Sequence, residues 1–348
     1  MARHNAARMP RADVLLVSLG STAGLRAADA ELHAALERAG ARTVTVTARP
    51  QPDVRTLALT DLVWARAAAA AARAGVRAHR PQAVLYSTTT AALPWVAPGA
   101  IRFDAPAAAN RPGRHGLWQR PVERRRLRQA PLLVPWAEGS LAETPEPHAP
   151  AVVVPVPVEP SAEPGGGAGG TRDIAAITYA ANPHKKGLDR VLGAWAAARR
   201  GDEELVVAGT GDVPPAPGVR DAGRLAPAAY RALLRRARVF VTAPRREDYG
   251  IAQLEALADG CALVTTPGPG PYAALPLARG LDPRFVPRDG DAGALAAALR
   301  AALDAPAPDY AERAALALAP FRRAAVDRTV AEELLPRLLD GAPPADSA

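Results

Sequence analysis

The chain predicts an α/β protein built from two similar units whose parallel sheets face a central cleft. Three observations carry this expectation. Short apolar runs alternate with helical periodicity along most of the chain, the rhythm of parallel sheets with helices on both faces. A Pro/Gly-rich stretch over 155–171 interrupts that rhythm, which then starts afresh. Polar, glycine-containing loops follow the apolar runs, and open α/β sheets place their ligands outside the carboxyl ends of such strands.

The first unit is expected over 13–154, after a polar, basic tail at 1–12 read as disordered. Residues 13–20 form an apolar strand ending at Gly20, and a helix runs from about Leu25 to Arg38 with Gly40 as its stop. Thr43-Val44-Thr45-Val46-Thr47 alternates like a strand. An alanine-rich helix fills 57–79, and strands follow at 82–87, 100–103 and 132–135. After the linker at 155–171, the second unit at 172–308 has strands at 174–179, 205–208, 238–242, 262–266 and 284–286. Its helices fall at 187–199, 227–237, 250–259 and 291–303, and residues 309–348 read as further helices.

Composition bounds the function. A length of 348 residues suits about two domains. Hydrophobic residues make up 49% but aromatics only 4%, so the cores must be mostly Ala, Val and Leu. The formal net charge of +8 comes from scattered arginines with no aromatic-rich basic stripe. That pattern fits a coding bias on solvated faces better than a nucleic-acid footprint. The single cysteine, Cys261, excludes an internal disulfide and a cysteine-rich zinc site. The apolar run Val14-Leu15-Leu16-Val17 is too short for a signal core, and no stretch nears the roughly 20 apolar residues of a spanning helix. The expected location is the cytoplasm, with peripheral contact at the inner face of a membrane.

The most informative run is Glu247-Asp248-Tyr249-Gly250-Ile251-Ala252-Gln253-Leu254-Glu255-Ala256-Leu257-Ala258-Asp259-Gly260, set between two strand-like stretches. A helix starting near Gly250 aims free N–H groups at the preceding acidic loop, and such groups bind phosphate. Glu247 and Glu255 are eight positions apart, about 80° out of line on one helix. Glu247 therefore belongs on the loop and Glu255 in the second helical turn, touching different parts of one extended ligand. The plain alternatives are a helix-start acid for Glu247 and a solvated helix residue for Glu255.

This run resembles the E-x7-E motif of the retaining GT-B glycosyltransferases of the family 4 type (glycosyl transferases group 1). Glu247, Tyr249, Gly250, Glu255, Ala256, Ala258 and Gly260 fill the motif, with Tyr249 where phenylalanine is more usual. The resemblance implies two Rossmann-like domains, a C-terminal helix crossing back to the N-terminal domain, and no metal or cofactor. It implies retaining transfer of a sugar, hexosyl by type, from a nucleotide-sugar to an acceptor hydroxyl on a lipid-linked or polysaccharide acceptor. Glu247 would bind a donor-sugar hydroxyl and Glu255 the ribose. Lys186 and the N–H groups of Tyr249, Gly250 and Ile251 would hold the diphosphate. Family members carry Gly-Arg before Lys-Gly; here Ala180-Ala181 stand in that place ahead of Lys186-Gly187, and Lys185, Arg245 or Arg246 are the candidate replacements.

Other segments carry weaker signals. Gly209-Thr210-Gly211 is a turn near the nucleotide in the family, or only a tight turn. The Thr266-Pro267-Gly268-Pro269-Gly270 loop reads the same way. In the first unit Gly20 and Ser21 sit in a strand–helix loop, and Asp104 is the acidic candidate for the cleft wall or else a helix cap. None of the six histidines follows the central strand ending Tyr86-Ser87, where many family members place one. Arg120 to Arg128 would form a basic face on a helix, either for a membrane or simply solvated. The rival functions are a non-catalytic nucleotide-sugar or partner-binding relative, a nucleotide-sugar epimerase, and an oxidoreductase. The last lacks a Gly-x-Gly-x-x-Gly opening a helix.

Overall fold

The computed structural model describes residues 11–52, 54, 56–161, 172–288 and 290–340. The chain divides into two compact units, one running up to Pro157 and resuming at Ala324, the other covering Val158–Arg323. Residues 1–10 of the expected tail and 162–171 of the expected linker lie outside the described residues. Ala12, assigned to the tail by sequence, is buried, and its carbonyl accepts from Gln82 N at 3.1 Å. At the start of the expected linker, Val156 and Val158 are buried as well.

The first unit holds β1 (Val14–Ser18), β2 (Thr43–Thr47), β3 (Ala83–Tyr86), β4 (Ala100–Phe103) and β5 (Leu133–Pro135) in one parallel sheet, order β2-β1-β3-β4-β5. Every residue of β1 is buried, as expected of a central parallel strand covered on both faces. Thr22 and Thr56 start the helices Ala23–Arg38 and Leu57–His79, each hydroxyl accepting from an N–H in the first turn. The second helix buries Ala65, Ala68, Ala69, Ala72 and Gly75. Small residues let it lie close to the sheet: a Cβ at Gly75 would stand 2.9 Å from Val46 Cγ1. The chain's end also belongs here. Val326, Val330, Leu334 and Leu338 complete a core with Val14, Leu16, Leu32 and Leu36. Their four-residue spacing stays on one face because a π-helical turn, Val330–Leu334, underwinds the helix there.

The second unit repeats the plan with β6 (Ile174–Tyr179), β7 (Leu205–Ala208), β8 (Val219–Gly223), β9 (Ala237–Thr242) and β10 (Ala262–Thr265), order β10-β9-β6-β7-β8, all parallel. Helix Leu188–Ala198 buries Leu188, Val191, Ala194, Trp195 and Ala198. Two sequence expectations need correction. The strand predicted at 284–286 is instead a 3-10 turn, Pro283–Phe285, because Asp282 caps Arg284 N and the proline has no N–H to give a sheet. The edge strand β8 was not anticipated, since Val-Arg-Asp-Ala-Gly lacks an apolar pattern.

Candidate functional site

In the second unit the chain starts in the middle of the sheet with β6, winds outward through β7 and β8, then returns to β9 on the other side. The loops after β6 and β9 therefore meet at the point where winding reverses, the place where such sheets form a ligand crevice. Two contacts fix how these loops meet. Arg245 N donates to Lys185 O at 2.9 Å. Gly187, at φ +65°, passes so close that a Cβ would stand 1.9 Å from the Ala243 carbonyl oxygen. Only glycine fits both the left-handed backbone and the approach. The preceding Asn182 caps the short turn Pro183–Lys186 through Lys185 N.

This junction brings Lys186 to Glu247, Nζ to Oε2, at 2.6 Å. The Glu247 side chain is 5% exposed and that of Lys186 19%. Gln253 Nε2 donates to the same Glu247 oxygen at 2.9 Å. The Pro269-Gly270 turn backs the glutamate: Glu247 N donates to Pro269 O at 3.1 Å. Gly270, at φ +112°, lies against its backbone, where a Cβ would be 2.2 Å from Glu247 O.

Gly250, at φ +94°, is the N-cap of helix Ile251–Ala258 and makes no side-chain cap. The first N–H groups of that helix have no intrahelical partner. Tyr249 is 3% exposed, so its ring belongs to the core, and its carbonyl accepts from Ala273 N. Any contact from Tyr249 to a ligand would be made by the main chain. Ile251 is half-buried at the helix start.

Glu255, in the second turn, has a different set of partners from Glu247. Its Oε1 is 3.5 Å from Arg231 Nη1, and Arg231 also binds Asp259, Nε to Oδ2, at 2.6 Å. Burial pushes the Glu255 carboxyl up, Arg231 pulls it down, and Asp259 adds to the rise; the net is upward. Tyr179 and Tyr230, with ring centroids 5.2 Å apart, stand near it. Gly209, at φ +93°, lies against Tyr179, whose ring would be 2.8 Å from a Cβ there.

The three candidate replacements for the absent arginine are already engaged. Lys185 pairs with Asp248, Arg245 grips Asp189 through two bonds of 2.7 Å, and Arg246 Nε is 2.6 Å from Asp248. Burial raises the Asp248 carboxyl, but Lys185 and Arg246 outweigh it and leave it below the ordinary range. Arg245 draws Asp189 down to about 2. Sequence reading missed Asp189 and Gln253, because a helix-start acid and a helical glutamine carry no signal of what they face across loops.

The first unit holds the remaining candidates. Gly20, at φ +63°, presents its carbonyl to Arg26 Nη1 at 2.9 Å, and a Cβ there would meet Thr47 Cγ2 at 2.8 Å. Ser21 is half-buried beside it. Winding reverses between β1 and β3 in this sheet, where Leu19 N donates to Ser87 Oγ at 3.1 Å. Asp104 follows β4; its Oδ1 accepts from Ala105 N at 2.9 Å and its carbonyl from Ser140 Oγ at 2.5 Å. Beneath the loops lies a buried cluster the sequence did not reveal. Asp29 joins Arg102 at 3.3 Å and Ser18 at 2.5 Å, and Arg102 covers the Trp136 ring at 4.6 Å. Among the described residues no group of three or more His, Cys, Asp or Glu is arranged to hold a metal, and no helix is long and apolar enough to cross a membrane.

Residues 173–305 match the family model described as glycosyl transferases group 1, a span that includes Lys186, Glu247 and Glu255. No curated protein matches the chain significantly in sequence. Among solved structures the chain is similar to sucrose-phosphate synthase from Thermosynechococcus elongatus, at 16% identity and TM-score 0.69, covering 96% of this chain and 100% of that one. It is similar to the α,α-trehalose 6-phosphate synthase of Burkholderia multivorans, at 14% identity and TM-score 0.66, covering 95% and 99%. The Anabaena protein HepE, solved with UDP and glucose, matches at 13% identity and TM-score 0.65, covering 92% and 98%. Likeness at this level of identity shows the fold, which is that of the GT-B glycosyltransferase structures.

Proposed function

We propose that the protein is a retaining, metal-independent glycosyltransferase that moves a hexosyl group from a nucleotide-sugar to an acceptor hydroxyl. One observation carries the reading: the Lys186–Glu247 pair, 2.6 Å apart, sits at the winding reversal of the second sheet, close to a helix start with no side-chain cap. An ammonium and free N–H groups suit a diphosphate. A nearly buried carboxylate suits a sugar hydroxyl. Glu255, in a partly exposed setting, is assigned the ribose hydroxyls. The family match over 173–305 supports the reading, as does the UDP and glucose bound to a structural neighbour.

In this reading the donor leaves a nucleoside diphosphate as the anomeric carbon passes to the acceptor oxygen on the same face. Lys186 and the helix N–H groups stabilise the charge growing on the departing phosphate. The acceptor proton passes to that phosphate. No cofactor takes part, and the nucleotide-sugar is a substrate. The acceptor is taken as lipid-linked or polysaccharide and the location as the cytoplasm, with membrane contact at its inner face.

A second reading rests on a specific observation: Lys185, Lys186, Arg245 and Arg246 are each paired with a carboxylate. A site whose cations are satisfied internally suits a protein that binds a nucleotide-sugar without turning it over. A thermal melt against UDP- and GDP-sugars, followed by an acceptor screen, separates the two. A bound donor at a hundred times its dissociation constant stabilises by about 2.7 kcal/mol. Turnover supports the transferase, and binding alone supports the binder. Glu247→Ala is expected to lower transfer by about a hundredfold or more while the protein remains folded. Full activity in that variant ends the assignment.

A further inference from the structure

Both hydrogen bonds to the Glu247 side chain fall on the same oxygen. Lys186 Nζ and Gln253 Nε2 reach Oε2 at 2.6 Å and 2.9 Å. Oε1 has no hydrogen-bond partner among the described residues and is not wholly sealed from solvent. Gln253 itself is 1% exposed and lies in the first turn of helix Ile251–Ala258. A carboxylate only accepts, so the glutamine must offer its NH2 to Glu247 and turn its carbonyl oxygen away. Tyr272 stands nearby, its hydroxyl 2.8 Å from Thr265 Oγ1, and the Gln253 carbonyl oxygen is buried without a hydrogen-bond partner. Gly250 makes room for this ring, since a Cβ there would be 2.9 Å from Tyr272 Cε2.

We infer that Gln253 is a positioning residue: it locks the rotation of the Glu247 carboxylate so that Oε1 is the atom presented to the donor's sugar. Lys186 alone cannot do this, because a rotating ammonium holds either oxygen equally well. The glutamine, buried in the first helical turn, donates to one oxygen alone and breaks that symmetry. The inference rests on the proposed role of Glu247 and adds a residue and an atom to it. Its consequence is that Gln253 governs the sugar part of donor recognition and leaves the nucleotide part untouched.

The test is calorimetric, on the full chain, with two probe pairs: UDP-glucose against UDP, and GDP-mannose against GDP. The quantity read is the preference for the nucleotide-sugar over its nucleotide. Gln253→Met keeps the bulk and removes the bond; it is expected to cut that preference about tenfold while affinity for the nucleotide stays within about twofold. Gln253→Glu adds a pH signature that a purely structural role does not produce. Two carboxyls this close share a proton. The protonated partner donates to Oε2 as the amide did, so the preference survives at about pH 5.5, and it is lost at about pH 8.5, where the proton leaves. The wild type is expected to show no such loss between those values. Glu247→Ala separates the two claims. If it erases the sugar preference and Gln253→Met does not, the positioning role is wrong and the Glu247 role stands. If Glu247→Ala leaves the preference intact, or no probe binds the wild type, the underlying reading fails and takes the inference with it.

Discussion

Lys186 and Glu247 lie 2.6 Å apart and are mostly removed from solvent, so deleting either leaves the other's charge poorly hydrated. Each single alanine variant is expected to cost about 3 kcal/mol. The double variant should cost well under the sum, with a coupling of about 2 kcal/mol in urea titrations. Additive losses would mean the pair is solvated in solution. Gly187 offers a second residue-level test. A Cβ there meets a carbonyl oxygen at 1.9 Å on a left-handed backbone, so Gly187→Ala should lose about 2 kcal/mol or more. Gly211, with nothing within 4 Å of its would-be Cβ, is the control and should change by no more than about 0.5 kcal/mol as alanine. The motif glycine and both glutamates were legible in the sequence because their spacing fixes loop against helix. The partners of Lys185 and Lys186 were not, because Glu247 and Asp248 lie about sixty residues further along and only the sheet order brings them near.

Helix Gln119–Gln129 shows what an element can hide. Its sequence reads as a run of arginines, yet Glu123 is its chemically unusual member. It is 2% exposed, and its Oε1 accepts from Ala107 N at 2.6 Å, fixing the turn after β4. Burial pushes the carboxyl up to about 7, against the pull of Thr89, Ala107 and Arg111. The folded value lies above the unfolded one, so this group's stabilising term is complete below about pH 4.5, declines as pH rises, and is lost above about pH 7. The swing is about 3 kcal/mol. Glu123→Gln, which keeps the acceptor oxygen, should therefore raise the melting temperature at about pH 8 and leave it nearly unchanged at about pH 4.5. A rise at both values would point to packing and not charge. The other elements divided by the clarity of their pattern. Largely apolar strands such as Ile174–Tyr179 were readable from the chain. The polar edge strand β8 was not, and the apolar pair Phe285-Val286 misled because a capped proline turn precedes it.

At the scale of the molecule the two units carry different reporters. Cys261 lies in the second unit, fully buried, and burial raises its thiol to about 12. It should resist thiol reagents at about pH 8 until that unit opens. Trp64, Trp95, Trp118 and Trp136 lie in the first unit and Trp195 in the second, so fluorescence weights the first unit. A nucleotide-sugar that binds Lys186 and Glu255 should slow Cys261 labelling in proportion to the stability it adds, a factor of about a hundred for 2.7 kcal/mol. Labelling that ignores every nucleotide-sugar would place the donor elsewhere.

The second unit is one unbroken stretch, Val158–Arg323, while the first is closed by residues at the far end of the chain. Val326, Val330, Leu334 and Leu338 fill the same core as Val14 and Leu16. During synthesis, then, the half that emerges first must wait with its interior open until the helices beyond Ala324 leave the ribosome, whereas the half made later can finish on its own. The first unit would mature after the second although it is translated earlier, and a stop codon just before Val326 would cripple the portion already made.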